Sequence, residues 1–298
     1  MEDAASWGLN AVERVELGPM SVTVALDSGP RILAYSKPGC RQLFACLPSE
    51  DLFHPWLGRY RFLGGHRLWR APEVPAATYV PDDGAVVVEA GSRHLSVTGR
   101  PDPDGLVKKI VLTQAGDDTV VDHVLRNAGD ATLRLAPWAI TQLMPGGTAI
   151  LPQPAIPSGD DALQPHRQLV LWSYSDPASP DVEVGQSEIA VNASADPEPF
   201  KIGQPNQRGW LAYRLGDTAF VKWGPVHDAS ASYVDMGASA QVYRNARFIE
   251  LETLGPVVDL APGGESRHRE VWRLLSLDGS PWRDVVRSLE AVPEAMKQ

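Results

Sequence analysis

Short apolar runs broken by Gly, Asp and Pro set the rhythm of this chain. Residues 85–89, 95–98, 106–112 and 119–125 are apolar or alternating, and Gly91-Ser92, Pro101 to Gly105 and Gly116-Asp117 separate them. Runs of that length, punctuated every 8–12 residues or so, predict an antiparallel meander. Within the last run Val120, Asp122 and Val124 alternate with Val121, His123 and Leu125. That is the pattern of a strand buried more heavily on one side. Residues 12–47 repeat the signature, with turns at Asp27-Ser28-Gly29-Pro30 and Lys37-Pro38-Gly39.

Residues 151–209 are rich in Pro, Asp and Ser and weakly periodic, apart from Leu169-Val170-Leu171-Trp172. They read as long loops across one end of the fold, and long loops in compact folds often carry function. Strands are expected again at 210–213, 220–223, 240–243, 247–253 and 270–275. One helix is expected, near the end of the sequence. Ser280 is its N-cap, Pro281 opens its first turn, and Trp282, Val285, Val286 and Leu289 share a face. The βαβ alternation of nucleotide-binding folds is missing. The pattern predicts an all-β sandwich of antiparallel sheets, residues 1–298 forming one domain, with a short C-terminal helix and little helix elsewhere.

Composition narrows the functions. A formal net charge of -10 disfavours nucleic acid, which needs a basic face. No apolar stretch is long enough to cross a bilayer, and the acidic start Met1-Glu2-Asp3 lacks the apolar core of a signal peptide. A cytoplasmic location is the expectation, and Cys40 and Cys46 are then free thiols. The seven histidines show no zinc-motif spacing, and no phosphate-cradling Gly-rich loop or nucleophile elbow occurs. Neither a metal nor a cofactor is therefore expected.

Two clusters could carry chemistry. Residues 59–73 combine Gly64-Gly65, His66, Arg67, Trp69 and further arginines. Glycine permits close backbone approach, arginine offers a planar donor fork, and tryptophan offers a flat face for a sugar ring. Residues 247–256 contain Phe248, Glu250 and Glu252, which share one face of a strand about 7 Å apart. Carboxylates so close, if partly buried, titrate as a pair and suit general base work. His268, between Arg267 and Arg269, reads as a surface residue.

The order of short motifs resembles a known family. Gly29-Pro30-Arg31-Ile32, Leu63-Gly64-Gly65 with Trp69, Asn127-Ala128-Gly129-Asp130, Leu251-Glu252-Thr253 and Leu260 to Glu265 follow the order seen in aldose 1-epimerases, the galactose-mutarotase-like superfamily. The strings Gly-Gly-His-Arg-Leu-Trp, Phe200-Lys201-Ile202-Gly203 and 209–213 resemble an uncharacterised bacterial branch of it. The resemblance implies the family's β-sandwich and a reaction in which a carboxylate deprotonates the anomeric hydroxyl while a histidine protonates the ring oxygen. It puts the base at Glu252. The family's two histidines fall on Leu63 and Trp138, so neither is kept here, and His66 is the nearest substitute acid.

The sequence therefore points to acid–base chemistry on a sugar or sugar acid, a small carbohydrate being the only partner implied. Glu252 is expected as base and His66 as acid, with Arg31, Arg67, Trp69, Trp138 and Gln142 shaping the pocket. Abundant arginine leans towards an acidic sugar. A non-catalytic carbohydrate-binding module is one alternative; a polysaccharide lyase using Tyr60 and His66 is another. His66, Arg67, Trp69, Trp138 and Glu252 are expected to line one cavity.

Overall fold

The computed structural model describes residues 4–193, 198–289, 291 and 293–296. Strands β1 (Val12–Leu17), β2 (Met20–Ala25), β3 (Arg31–Ser36), β4 (Cys46–His54) and β5 (Gly58–Ala71) lead the chain. A four-residue helix, α1 (Pro75–Thr78), interrupts them before β6 (Val87–Ala90), β7 (His94–Thr98), β8 (Leu106–Ala115), β9 (Asp118–Asn127) and β10 (Leu133–Leu143). Next come β11 (Thr148–Pro152), β12 (Val170–Leu171), β13 (Val182–Val184), β14 (Glu188–Asn192) and β15 (Phe200–Gln204). The last are β16 (Trp210–Leu215), β17 (Thr218–Trp223), β18 (Ala240–Arg244), β19 (Ile249–Leu254), β20 (Val258–Leu260) and β21 (Glu265–Ser276), followed by helix α2 (Trp282–Leu289).

These strands make two antiparallel sheets. The first, of 11 strands, runs β1-β2-β3-β5-β10-β19-β18-β15-β12, with β20 and β4 attached to β10 and β5. The second, of 10 strands, runs β13-β14-β11-β16-β17-β21-β9-β8-β7-β6. The sheets pack face to face over one apolar core that includes Tyr35, Phe44, Phe220 and Trp272, whose rings meet at centroid distances of 5.4 to 6.2 Å. Alternation explains the layering. In β9, Val121, His123 and Leu125 are buried, while Asp122 reaches the outer side and pairs with Arg269.

The expected meander forms β6 to β9, and the turns at 27–30 and 37–39 close their strands. Residues 151–209 differ from expectation, because β12 to β15 lie within them, and β15 is fully buried. Phe200-Lys201-Ile202-Gly203-Gln204 pairs with β18 inside the first sheet, so that stretch is a wall rather than a loop. The terminal helix lies where Ser280-Pro281 predicts it. Leu289 is buried and Trp282 and Val285 half-buried, while the Val286 side chain falls outside the described residues. Cys40 and Cys46 are thiols, not joined in a disulfide. No helix among the described residues is long and apolar enough to cross a membrane.

Candidate functional site

The middle of the first sheet carries two different polar layers on its two faces. Consecutive strand residues point to opposite sides, so the neighbours His66 and Arg67 cannot share a face. In register, Trp69, Trp138 and Leu254 form one cross-strand row; Arg67, Ile140, Glu252 and Gln241 form the next. Gly65, Gln142, Glu250 and Tyr243 form a third. All three rows face away from the second sheet. His66, Thr141, Leu251 and Thr253 occupy the intervening positions and face it.

On the outward face lies a cleft of about 260 Å³. Phe62, Arg67 and Trp69 of β5, Trp138 of β10, and Phe248 and Glu250 of β19 and its approach line one side. Tyr243 of β18 and Lys201 of β15 line the other, and Glu73, Tyr79, Tyr174 and Pro199 complete the rim. Tyr174 and Pro199 come from the region 151–209, and Ser175 ties the Tyr174 loop to β15 by accepting from Lys201 N and donating to Lys201 O, each at 2.8 Å. The walls are mostly aromatic, which suits the apolar face of a small ring.

Every cation near this cleft already has a carboxylate. Arg67 lies over the Trp69 ring at 4.1 Å and donates to Glu250 at 2.9 Å. Lys201 Nζ sits 4.8 Å from the Trp138 ring centre and 4.7 Å from that of Trp172, and donates to Glu252 Oε2 at 2.9 Å. Arg31 pairs with Asp82, and Arg70 with Asp104. The abundance of arginine is thus matched by acidic partners, and the lean towards an acidic ligand loses its basis.

Glu252 is wholly buried, directly behind Lys201 and Trp138. Its Oε2 accepts from Trp138 Nε1 at 2.7 Å and from Lys201, while Oε1 has no partner. Burial raises its pKa, Lys201 pulls it back, and Glu250 pushes it up again, leaving it at about 7. A carboxylate half-ionised near neutrality can accept or return a proton.

The structure brings Arg67, Trp69 and Trp138 together at the cleft; Glu252 is on the same sheet face as Trp69 but does not line the cleft, being buried behind Lys201 and Trp138. The structure does not bring His66 there. His66 is fully buried between the sheets, where its Nδ1 meets Thr141 Oγ1 at 2.9 Å and its Nε2 meets His123 Nε2 at 2.7 Å. Burial, then His123, drives its pKa well below the usual histidine value. Arg31 is fully buried too, and donates to Tyr60 Oη at 2.8 Å and Asp82 at 2.7 Å rather than into the cleft. Tyr60, its phenol pushed up by burial, also takes a hydrogen bond from Trp69 Nε1 at 2.8 Å. The Tyr60–His66 pair expected of a lyase is therefore divided between two environments. Gln142 is buried on the cleft side below the Arg67–Glu250 pair. Lys201 was not among the expected residues.

The glycine pair serves the fold. Leu63, Gly64 and Gly65 have φ of 60°, 86° and 67°. A Cβ on Gly64 would lie 1.9 Å from Ala45 O, and one on Gly65 2.1 Å from Ile32 O. The close approach is to neighbouring backbone, and Leu63 turns into a core with Trp7 and Leu33.

The inward face holds a closed polar network, which includes the supposed surface residue His268. His268 points inward and is buried because Ser266, His268, Glu270 and Trp272 alternate with outer arginines. His123 Nδ1 donates to His268 O at 2.9 Å, which leaves its Nε2 to accept from His66. His66 Nδ1 then accepts from Thr141, whose oxygen accepts a hydrogen bond from Lys222 Nζ at 3.2 Å. Lys222 pairs with Glu270 at 3.0 Å, and Glu270 also accepts from Trp272 Nε1 at 2.8 Å and from Thr253. Ligand atoms of His66, His123 and Glu270 lie within 4.8 Å of one another, a spacing compatible with a metal ion. Each of them is already hydrogen-bonded, however, and a cation there would sit beside the Lys222 ammonium.

No protein-family model and no curated protein matches the sequence. Solved structures do match in shape. An Escherichia coli protein provisionally assigned as an aldose 1-epimerase aligns with 13% identity and a TM-score of 0.54, over 90% of this chain and 99% of that one. A galactose mutarotase-like protein from Lactobacillus casei aligns with 9% identity and a TM-score of 0.56, over 89% and 100%. A galactose mutarotase related enzyme from Lactobacillus acidophilus gives 7% and 0.55, over 89% and 98%. The fold is galactose-mutarotase-like. At such identities the match speaks for the arrangement of strands, and the site must be argued from its own residues.

Proposed function

We propose that the cleft binds a monosaccharide-sized, uncharged sugar and interconverts its anomers by proton transfer. The observation that carries this reading is the Glu252–Lys201 pair. A buried carboxyl with a pKa of about 7 lies 2.9 Å from an ammonium that lines an aromatic cleft. Glu252, through its unpartnered Oε1, takes the proton of the anomeric hydroxyl. Lys201, turning from Glu252 towards the sugar, protonates the ring oxygen as the bond from the anomeric carbon to that oxygen breaks. The open-chain carbonyl rotates, the steps reverse, and both protons return. Lys201 thereby fills the role of acid expected of His66. Trp69 and Trp138 hold the ring, and Arg67 and Glu250 bind its hydroxyls.

A second reading, a sugar-binding module without turnover, is favoured by one feature: among the described residues no histidine lines the cleft. Exchange NMR on D-glucose, D-galactose, D-mannose and D-xylose separates the two. Accelerated exchange between anomers supports the epimerase. Binding without acceleration, for every sugar bound, supports the module.

A further inference from the structure

The Arg67–Glu250 ion pair spans a whole strand. Arg67 stands opposite Ile140 of β10, and Glu250 stands opposite Gln142 on the other side of β10. The bridge therefore passes over β10 between Ile140 and Gln142. On its β5 side Gln142 faces Gly65, which has no side chain to fill the space. Gln142 is fully buried, yet neither its Oε1 nor its Nε2 has a partner. Arg67 Nε and Nη1 and Glu252 Oε1 are likewise buried without partners.

The contrast with the opposite face of the same strands is informative. There His66, His123, Lys222 and Glu270 satisfy one another in a closed chain. The sheet can thus build a complete polar network where the fold needs one. On the cleft side it keeps a glutamine where an apolar residue would fold more stably, since a buried amide without hydrogen bonds is destabilising. Polar atoms buried and left open in this way are available to hydrogen-bond a ligand.

We infer that Gln142 and an unpartnered guanidinium N–H of Arg67 form an inner subsite that recognises two adjacent hydroxyl groups of a polyol. The inference rests on the carbohydrate reading of the cleft. A primary amide presents one acceptor and one donor side by side. One hydroxyl donates to Gln142 Oε1 and accepts from Arg67; its neighbour accepts from Gln142 Nε2. The subsite lies beneath the Arg67–Glu250 bridge, which the entering hydroxyls part by replacing its hydrogen bond.

Calorimetric titration of wild type, Gln142→Met and Gln142→Glu tests this, with D-glucose, D-galactose, D-mannose, D-xylose, myo-inositol and the monodeoxy forms of glucose and galactose. Met removes both polar atoms at similar volume; Glu keeps the shape and removes the donor. The expected result is a higher Tm for Gln142→Met together with binding about tenfold weaker or worse, roughly one hydrogen-bond equivalent. One monodeoxy form should bind wild type and variant alike, because it lacks the hydroxyl that the amide reads. Unchanged binding of the parent sugars by both variants overturns the subsite while leaving the carbohydrate reading intact, as does an equal loss for all deoxy forms. Failure of wild type to bind any of these compounds overturns the carbohydrate reading, and the subsite with it.

Discussion

Lys201 Nζ stands 2.9 Å from Glu252 Oε2, and the Trp138 indole touches both, donating to the carboxylate and offering its ring to the ammonium. The two charges come from β15 and β19, which are separated by β18, so three strands must be in register before the pair can form. Its chemistry and its cost to the fold both follow from burial.

Replacing Glu252 by Gln removes the proposed proton acceptor and keeps the Trp138 contact. Anomer exchange is expected to fall about 10²–10⁴-fold, the usual contribution of one general base. Sugar affinity should change far less, because the aromatic walls remain. Lys201→Met should lower exchange similarly. Exchange rate and dissociation constant, measured on the same samples, check both statements.

The pH profile follows from the raised pKa of Glu252. On the proposed mechanism Glu252 acts when ionised, so the exchange rate should rise with pH and level off above about 7. Lys201 holds that pKa down and Glu250 pushes it up. Lys201→Met should therefore move the midpoint upward, and Glu250→Gln downward. A midpoint that ignores both substitutions would assign the titration to another group.

Three histidines in the inner network are held neutral by burial. The pKa of His268 falls to about 3, and those of His66 and His123 are lowered. Below about pH 6.5 the unfolded chain binds protons that the folded one refuses, so stability is greatest above that value and declines as pH falls. Each histidine removes about 1.4 kcal/mol per pH unit until its folded pKa is reached. Glu252, whose pKa is raised, acts in the opposite sense between about 4.5 and 7 and offsets part of this. Urea unfolding across pH 4 to 8 should show the net acid loss, and His268→Gln should make the slope shallower.

Gly64→Ala should destabilise by about 3 kcal/mol or more. It combines left-handed backbone strain with a Cβ 1.9 Å from Ala45 O. Gly263→Ala, also at positive φ but with nothing within 4 Å, should cost only about 1–2 kcal/mol. Chemical denaturation of the two variants isolates the part due to close approach.

Much of this was legible in the sequence, because strand alternation is local. The shared face of Glu250 and Glu252 follows from period two alone, and β19 proved to be an interior strand. His66 is misplaced because residues 59–73 are taken as one cluster around a glycine pair, with no strand alternation applied to them. Read as a strand, the same residues put His66 and Arg67 on opposite faces. His268 was misread from its flanking arginines, although Ser266, His268, Glu270 and Trp272 carry an inward stripe at period two. Lys201 gave little local signal. Its importance comes from cross-strand pairing with Tyr243, one strand from Glu252, and such long-range pairing is invisible to a reading of neighbours along the chain.

The alternation in β5, β10 and β19 also bears on how such a protein can diverge. A cleft and a load-carrying network share the same backbone, residue by residue, so insertion or deletion of a single residue would exchange their inventories, turning histidine and threonine outward and glutamate and arginine into the core. Lineages of this chain should therefore vary ligand preference by substitution at the outward positions and by remodelling rim loops such as that of Tyr174, while the lengths of these three strands stay constant.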